Sequence, residues 1–157
     1  MERTLVLVKP DAMQRGLAGE ILKRLESRGL KVVALKLTRP AEALLRAHYA
    51  EHEGKPFLAG LIEYMSSSPI IAAVFEGPNA IQAIRHTAGA TNPVDKDRAT
   101  PGSIRADFAL QTGRNLIHAS DTEPGSAERE IALWFAPDEI VPWPRESDRW
   151  VAENAWE

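Results

Sequence analysis

The chain has 157 residues, 44% of them hydrophobic and 26% charged, which is the composition of one globular domain and excludes collagen-like and disordered chains. Its formal net charge of −3 offers no basic excess for a nucleic acid or an anionic membrane, so a bound anion needs a local cluster of positive side chains. The absence of cysteine excludes disulfides and thiolate metal sites and favours a reducing compartment.

The first 38 residues predict a strand, a helix and a second strand. Thr4 to Val8 is a short apolar run of the kind that forms a strand buried on both faces. It is too short for a signal peptide, and since no other stretch approaches the ~18 apolar residues of a membrane helix, we expect a cytoplasmic protein. Apolar residues then recur at helical spacing from Leu17 to Leu25, and Gly29 ends the pattern. Leu30 to Thr38 alternates as a half-exposed strand does.

The rest of the chain continues this alternation of helices and strands. Helical residues dominate from Ala41 to Met65 and are interrupted near Gly54 to Pro56, which indicates two helices. The later predictions are a strand from Ile70 to Phe75, a helix from Asn79 to His86 with Asn79 as its N-cap, a strand from Leu116 to Ala119, and a helix from Ser126 to Phe135. This order favours the α+β class, as a ferredoxin-like βαββαβ antiparallel sheet with helices covering one face.

Two segments lie outside this pattern. The stretch from Thr87 to Ile104 exceeds the usual ~4–6 residues of a connection, so we expect it to bind a ligand or to lie in an interface. Past Ala136 come three prolines and three of the four tryptophans, namely Trp143, Trp150 and Trp156. We therefore expect one domain over residues 1–157, in which residues 136–157 form a C-terminal extension too apolar to remain unpacked.

His48 to His52 spell H-x-x-E-H, a pattern that in some zinc peptidases places two imidazoles one helical turn apart beside a general base. A hydrolytic zinc site needs a third protein ligand, and such short matches often arise by chance. We therefore favour the alternative, an exposed helix that carries two histidines. Neither G-x-x-x-x-G-K-[ST] nor G-x-G-x-x-G occurs in the sequence, so a phosphate site must be built from side chains.

The most informative stretch is NLIHASD, in which an apolar strand ends on His118. Taken alone, such a histidine is more often a satisfied core residue than a catalyst. The final helix, however, predicts an inward stripe that includes Ile131 and Trp134, and Glu130 lies on the same stripe. A buried carboxylate needs a partner, and an imidazole N–H of His118 is the best one available. A histidine held in this way offers its other, unprotonated nitrogen as a nucleophile.

Positive side chains are predicted near this histidine. They are Lys9 at the end of the first strand, Arg85 on the fourth helix, and Arg105 and Arg114, which flank the last strand. Each of them alone is typical of a solvated surface. Brought together at one end of a ferredoxin-like sheet, they could hold a polyphosphate through bidentate hydrogen bonds.

These residues resemble the nucleoside diphosphate kinase family. NLIHASD matches the family signature N-x-x-H-[GA]-S-D, and the similar segments elsewhere are TLVLVKPDA, YAEHEGKPF, RHTAGATNP, GSIRADF and SAEREIALWF. The similarity covers the chain to about Phe135. It implies an enzyme that transfers the terminal phosphate of a nucleoside triphosphate to a nucleoside diphosphate by a ping-pong mechanism, through phosphohistidine at His118.

The resemblance also implies a set of catalytic residues, which are His118, Glu130, Lys9, Tyr49, Asn115 and Ser120. His118 would carry the phosphate on Nδ1, Glu130 would fix its ring, and Ser120 would orient Glu130. Tyr49 would lie beside the γ-phosphate.

The nucleotide-binding residues that the resemblance implies are Lys9, Phe57, Arg85, Thr91, Arg105 and Asn115. Lys9 and Asn115 would hold the ribose 3′-hydroxyl and the region of the transferring phosphate. Phe57 would stack on the base, whereas the two arginines and the threonine would bind the phosphates. The implied cofactor is Mg²⁺, held chiefly by the nucleotide phosphates and water and without a protein ligand.

Two features depart from the family pattern. Ala119 stands where glycine is commoner, and the segment from Thr91 to Arg105 is a few residues longer than usual. In the family this segment lies at subunit contacts, so its length bears on assembly. The resemblance implies a homo-oligomer, a hexamer rather than a tetramer, and the half-exposed strand from Leu30 to Thr38 could pair with a twofold mate.

Two other classes of function remain open. A non-catalytic nucleotide-binding regulatory protein on the same fold would keep Arg85, Arg105 and Phe57 without needing His118 and Glu130 together. A nucleic-acid-binding module would need a basic surface with interleaved aromatic residues, whereas the chain has 19 basic and 22 acidic residues. The joint presence of the histidine and the glutamate favours the enzyme, and neither a nucleic acid nor a membrane is an expected partner.

Overall fold

A computed structural model describes residues 1–153 as a four-stranded sheet flanked by helices. The strands are β1 (Glu2–Val8), β2 (Lys31–Thr38), β3 (Ile70–Gly77) and β4 (Ile117–Ala119). They lie in the order β2-β3-β1-β4, and each neighbouring pair is antiparallel. The α-helices are α1 (Pro10–Gln14), α2 (Ala18–Ser27), α3 (Glu42–His48), α4 (Leu58–Ser66), α5 (Ala80–Ala88), α6 (Ile104–Phe108) and α7 (Ser126–Trp134). The α+β class and the ferredoxin-like sheet are confirmed. None of the helices within residues 1–153 has the length and apolar character that a membrane crossing demands.

The expectation that helices cover one face of the sheet is wrong, because both faces are covered. Leu5 and Leu7 of β1 pack with α3, α4 and α7, whereas Val6 and Val8 pack with α2 and α5 on the opposite face. All four side chains are fully buried. Since successive side chains of a strand point to opposite faces, an uninterrupted apolar strand needs a layer of structure on each side.

Asn79 occupies the N-cap position of α5, as predicted, but its side chain does not cap the helix. Its backbone is left-handed, with φ of 51°, and its side chain makes no capping hydrogen bond. Instead, a carboxylate oxygen of Glu2 accepts a hydrogen bond from the backbone N–H of Ile81 at 2.8 Å. A side chain from the neighbouring strand thus satisfies one of the free donors at this helix N-terminus.

Two short helices are not visible in the apolar periodicity. α1 follows β1 directly and begins at Pro10, which suits a first helical position. α6 interrupts the long loop, and Oγ of Ser103 accepts a hydrogen bond from Ala106 at its N-terminus. The loop passes this cap so closely that a Cβ on Gly89 would lie 2.3 Å from the hydroxyl oxygen, so this position requires glycine. Helices of this length contain too few apolar positions to reveal a 3.6-residue period.

The chain after α7 packs along the outer edge of β2. Hydrogen bonds from the backbone of Val141 and the indole of Trp143 end on two carbonyl oxygens of β2, at 2.8 and 2.9 Å. Trp150 is largely exposed, and Trp156 lies outside the described residues. Over the part that the structure describes, the extension is therefore attached to the sheet.

Candidate active site

The site is built where the short strand β4 pairs with β1, at a point where His118 lies opposite Leu7. Two residues earlier, Leu116 is fully buried and has φ of 74°. This left-handed conformation costs a residue with a Cβ roughly 1–2 kcal/mol. The backbone that leads to the histidine is therefore held in a turn rather than extended.

His118 and Glu130 are in direct contact, as the inward stripe of α7 predicts. Nε2 of His118 lies 2.7 Å from Oε2 of Glu130, and the same oxygen accepts a hydrogen bond from Oγ of Ser120 at 2.9 Å. The Ser120 hydroxyl in turn accepts a hydrogen bond from the backbone N–H of Leu5 at 3.3 Å. We assign the proton of the neutral imidazole to Nε2, because the carboxylate accepts it, and Nδ1 then carries the lone pair.

Glu130 remains ionised although it is buried. Burial alone would raise the pKa of its carboxyl, but the hydrogen bonds from His118 and Ser120 and the proximity of the imidazoles lower that pKa below its usual value. A fixed negative charge thus lies against the nitrogen of His118 that faces away from the reacting side.

His48 is buried, contrary to the expectation of an exposed helix that carries two histidines. Its ring packs edge-on against that of His118, with centroids 4.6 Å apart, and its Nδ1 accepts a hydrogen bond from the indole N–H of Trp134 at 3.1 Å. Burial, and secondarily the neighbouring His118, lowers the pKa of His48 to about 3, so the ring is neutral. Because the Nδ1 lone pair faces the indole, the ring proton lies on Nε2, and neither nitrogen is free to coordinate zinc.

Lys9, Asn115 and the long loop form a second part of the site. Nζ of Lys9 donates to Oδ1 of Asn115 at 2.8 Å, and Nδ2 of Asn115 donates to the carbonyl of Thr91 at 3.0 Å. Burial and the charge of Arg105 lower the pKa of Lys9 to about 8, while Asp11 acts in the opposite direction. The ammonium group is thus mostly charged at neutral pH.

Arg105 projects from α6 into the same region and is held by the backbone. Its guanidinium donates to three carbonyls at 2.9, 3.2 and 2.6 Å, those of Gly89, Asn115 and Ile117. Burial and the nearby charge of Arg85 lower the pKa of Arg105 to about 10, so it remains a cation. Arg85 itself is exposed and makes a long, 3.4 Å hydrogen bond to the carbonyl of Ser120.

Arg114, the fourth cation predicted for this cluster, lies over an aromatic ring instead. Its guanidinium carbon is 4.2 Å from the centroid of Tyr64. The other three predicted cations contact residues next to or near His118 in the chain, which are Asn115 for Lys9, Ser120 for Arg85 and Ile117 for Arg105.

Aromatic rings form another wall of the site. Tyr49 is buried against the edge of His48, with centroids 4.7 Å apart, and burial raises the pKa of its phenol, which is therefore neutral. His52 stacks on Tyr49 and lies 5.1 Å from Phe57. Phe57 is 52% exposed, so one aromatic face remains available to a ligand.

The long loop adds a groove beside these residues. The groove is lined by residues of α2, of α5 and of the loop, and Arg85 and Thr91 are among them. The predicted phosphate ligands are therefore divided between the groove and the cluster around His118.

Asp11 and Tyr64 lie beside the site and were not predicted from the sequence. Asp11 accepts hydrogen bonds from the hydroxyl of Tyr64 and from the backbone N–H of Leu116, the latter at 3.1 Å. Their separation along the chain hides this contact. The available signal was the polar end of the first strand, where Lys9 and Asp11 flank a proline.

Comparison with known proteins identifies the family of the chain. The family model described as nucleoside diphosphate kinase matches residues 2–140. The chain is 53% identical to a nucleoside diphosphate kinase of Archaeoglobus fulgidus over 154 residues, which cover 98% of this chain and 99% of that relative. It is 60% identical to one of Mycolicibacterium vanbaalenii over 134 residues, which cover 85% and 96% of the two chains. The solved structure of a halophilic nucleoside diphosphate kinase from Halobacterium salinarum in complex with CDP matches with a TM-score of 0.93 and 51% identity, covering 97% of this chain and 99% of that one. The chain belongs to the nucleoside diphosphate kinase family.

Proposed function

We propose that His118 carries the phosphate as this chain transfers the terminal phosphate of a nucleoside triphosphate to a nucleoside diphosphate. The enzyme class follows from the family, because nucleoside diphosphate kinases are nucleotide phosphotransferases. The observation that carries the assignment of the carrier is the 2.7 Å contact between Glu130 and Nε2 of His118. It leaves Nδ1 unprotonated and available as the nucleophile.

In the first half-reaction the lone pair of Nδ1 forms a bond to the γ-phosphorus. The bond to the β,γ-bridging oxygen breaks, and the nucleoside diphosphate leaves with that electron pair. The ring of His118 becomes positive as it bonds to phosphorus, so the charge of Glu130 stabilises the transition state more than the ground state. In the second half-reaction a terminal phosphate oxygen of another nucleoside diphosphate attacks the phosphohistidine, and the imidazole returns to its starting state.

The cations of the site stabilise the charge on the transferring phosphate. Lys9 and Arg85 contribute side chains that other protein groups only partly engage. Arg105 uses three of its five N–H groups on carbonyls, which leaves two for phosphate oxygens. We assign the hydroxyls of Thr91 and Tyr49 to the phosphates as well.

Phe57 and Asn115 fit the nucleoside half of the substrate. Stacking on a half-exposed phenylalanine provides ~1–3 kcal/mol to any base, because every base has a π-face. The solved relative from Halobacterium salinarum is a complex with CDP. We assign the base to Phe57, and the ribose 3′-hydroxyl to Lys9 and Asn115.

The site fits Mg²⁺ that arrives with the nucleotide. Among the described carboxylates near His118, Glu130 is already engaged by His118 and Ser120, and Asp11 accepts hydrogen bonds with both of its oxygens. Glu130 and Asp11 are therefore not free to bind the ion, whereas the phosphate oxygens are hard ligands that suit Mg²⁺. When bound, the ion neutralises charge on the phosphate oxygens.

We also propose the finer features that the sequence predicts: a homo-oligomer, hexameric rather than tetrameric, and a cytoplasmic location. Leu35 and Leu37 of the edge strand β2 are 53% and 66% exposed, which supports a contact between copies there. We propose one domain over residues 1–157, with residues 136–157 as its extension.

The proposed function is tested by incubating the protein with ATP and Mg²⁺ in the absence of an acceptor. We expect a base-stable, acid-labile phosphate on His118, located by mass spectrometry. The His118→Gln variant should remain unlabelled, while His86→Gln, which changes an exposed histidine, should label normally. A phosphate on Ser120 or His86 would contradict the assignment, and a protein that binds ATP but stays unlabelled would be the non-catalytic nucleotide-binding protein.

A further inference from the structure

The left-handed turn at Leu116 is held from both sides by the segment that follows β1. The backbone N–H of Leu116 donates to Oδ2 of Asp11 at 3.1 Å, and its carbonyl accepts a hydrogen bond from the backbone N–H of Lys9 at 2.9 Å. Leu116 has a buried Cβ and pays a steric cost for φ of 74°, so the turn persists only because other contacts maintain it. Asp11 supplies the side-chain contact among them.

This turn determines where the carbonyls on either side of it point. The carbonyls of Asn115 and Ile117 both accept hydrogen bonds from the guanidinium of Arg105. The same turn brings the side chain of Asn115 to 2.8 Å from Nζ of Lys9. One backbone conformation therefore positions the lysine, the asparagine and the arginine relative to one another.

Asp11 is itself anchored by helix α4. Its Oδ1 accepts the hydrogen bond from the hydroxyl of Tyr64, whose ring lies under the guanidinium of Arg114. Burial and this hydrogen bond raise the pKa of Tyr64, so the phenol keeps its proton and remains a donor. The carboxylate thus has one oxygen for α4 and the other for the turn.

The charge of Asp11 also acts on Lys9. Asn115 from the turn contacts the ammonium, the charges of Arg105 from α6 and Asp11 from α1 act on it, and its own charge acts on His48 from α3. Of these, Asp11 is the negative one, and the ring of His48 is neutral. Burial and the charge of Arg105 lower the pKa of Lys9 to about 8, and Asp11 opposes them, so the loss of the carboxylate would lower that pKa further.

We propose that Asp11 is a positioning residue for phosphoryl transfer, whose carboxylate maintains the turn at Leu116 and acts as a counter-charge to Lys9. The proposal rests on the proposed roles of Lys9 and Arg105 as phosphate ligands. Asp11 acts through these cations and does not touch the substrate.

Two substitutions separate the two roles. In Asp11→Asn, the amide oxygen is able to accept from Leu116, and the amide N–H is able to donate to the hydroxyl of Tyr64, since a hydroxyl both donates and accepts. The geometry is therefore kept while the charge is lost. Asp11→Ala removes both. Glu63→Gln, at an exposed position on α4, is the matched control for the loss of one negative charge.

The test measures the titration of Lys9 by NMR on protein with isotope-labelled lysine side chains, where the Lys9 signal is the one missing from Lys9→Arg. We expect its midpoint near pH 8 in the unchanged protein and at a lower pH in Asp11→Asn. The alkaline decline of kcat/KM should move by the same amount, and activity should recover at pH 6.5. Glu63→Gln should change neither.

Asp11→Ala should lose at least tenfold in kcat/KM at every pH, because the turn is then unsupported. A Lys9 midpoint and an alkaline decline that both stay in place in Asp11→Asn would overturn the proposal. If Asp11→Ala does not fold, the Asp11→Asn titration still decides it. The titration requires no turnover, so its result is independent of the labelling of His118. A failure of that labelling would contradict the proposed function, whereas a failure of the titration would contradict the role of Asp11.

Discussion

At the scale of single residues, substitution of Glu130 by glutamine removes the charge of this side chain while it keeps the hydrogen-bond geometry. One carboxylate oxygen accepts both the His118 and the Ser120 hydrogen bonds, so the amide oxygen of a glutamine is able to take its place. We expect Glu130→Gln to bind ADP nearly normally but to form phosphohistidine roughly 10–1000-fold more slowly, because the positive ring of the transition state loses its counter-charge. Stopped-flow kinetics beside equilibrium binding of ADP measures the two effects.

Glu128→Gln is the control for this substitution, since Glu128 is exposed on the same helix and should have no effect. An unchanged rate in Glu130→Gln would mean that the carboxylate is a structural partner only. The contact between Glu130 and His118 was predictable, because helical periodicity placed the glutamate on the inward stripe of α7. The contact between Asp11 and Leu116 was not, because no local pattern reports which distant backbone group a carboxylate will meet.

At the scale of elements, periodicity predicted the long segments and failed for the short ones. The four strands and the longer helices were found within a few residues of their ends, whereas α1 and α6 carry too few apolar positions to be seen. The covering of both faces of the sheet could have been predicted from the sequence, because Leu5 to Val8 are all apolar and their side chains alternate between the two faces. The position of His48 required knowledge of the packing of α3 on α7, which a single helix pattern does not contain.

The strand β2 leads to a prediction about assembly. Its outer edge is covered by the C-terminal extension near Val33 and leaves Leu35 and Leu37 exposed beyond that point. We expect Leu37→Lys to reduce the mass in solution, because a charge would be buried if two copies of β2 paired there. Light scattering at micromolar concentration measures the mass of the protein in solution, which is compared with the monomer mass of 17.3 kDa. The control is Ala59→Lys on an exposed face of α4, and an unchanged assembly in Leu37→Lys would place the contact elsewhere.

At the scale of the whole molecule, a buried charge network joins segments that are far apart in the chain. Nζ of Lys31, at the start of β2, lies 3.1 Å from Glu76 of β3 and 3.6 Å from Asp148 of the extension, and it donates to the carbonyl of Trp143 at 2.8 Å. Arg145 binds Asp148 at 2.6 Å and also donates to two carbonyls in the turn before β2. The extension is therefore attached through a lysine that has little access to water.

Removing that lysine should loosen the extension and destabilise the fold. We expect Lys31→Met to lower the free energy of unfolding by about 2–4 kcal/mol, because Glu76 and Asp148 each keep an arginine partner but lose the buried ammonium group of Lys31. The same substitution at Lys36, whose ion pair with Glu139 is partly exposed, should cost less than about 1 kcal/mol. Urea unfolding of both variants at one fixed protein concentration measures the difference, since association would otherwise contribute.

The pH dependence of this effect has a defined sign. Burial alone would raise the pKa of Glu76, but its bonds to Arg3 and Lys31 lower that pKa below the ordinary 4.5. A carboxyl with a lowered pKa in the folded state contributes stability above its unfolded pKa and loses that contribution as the pH falls through the folded value. The gap between Lys31→Met and the unchanged protein should therefore be widest above pH 5 and narrow once Glu76 is protonated. Equal losses from Lys31→Met and the Lys36 variant at pH 7 would show that the network does not hold the extension.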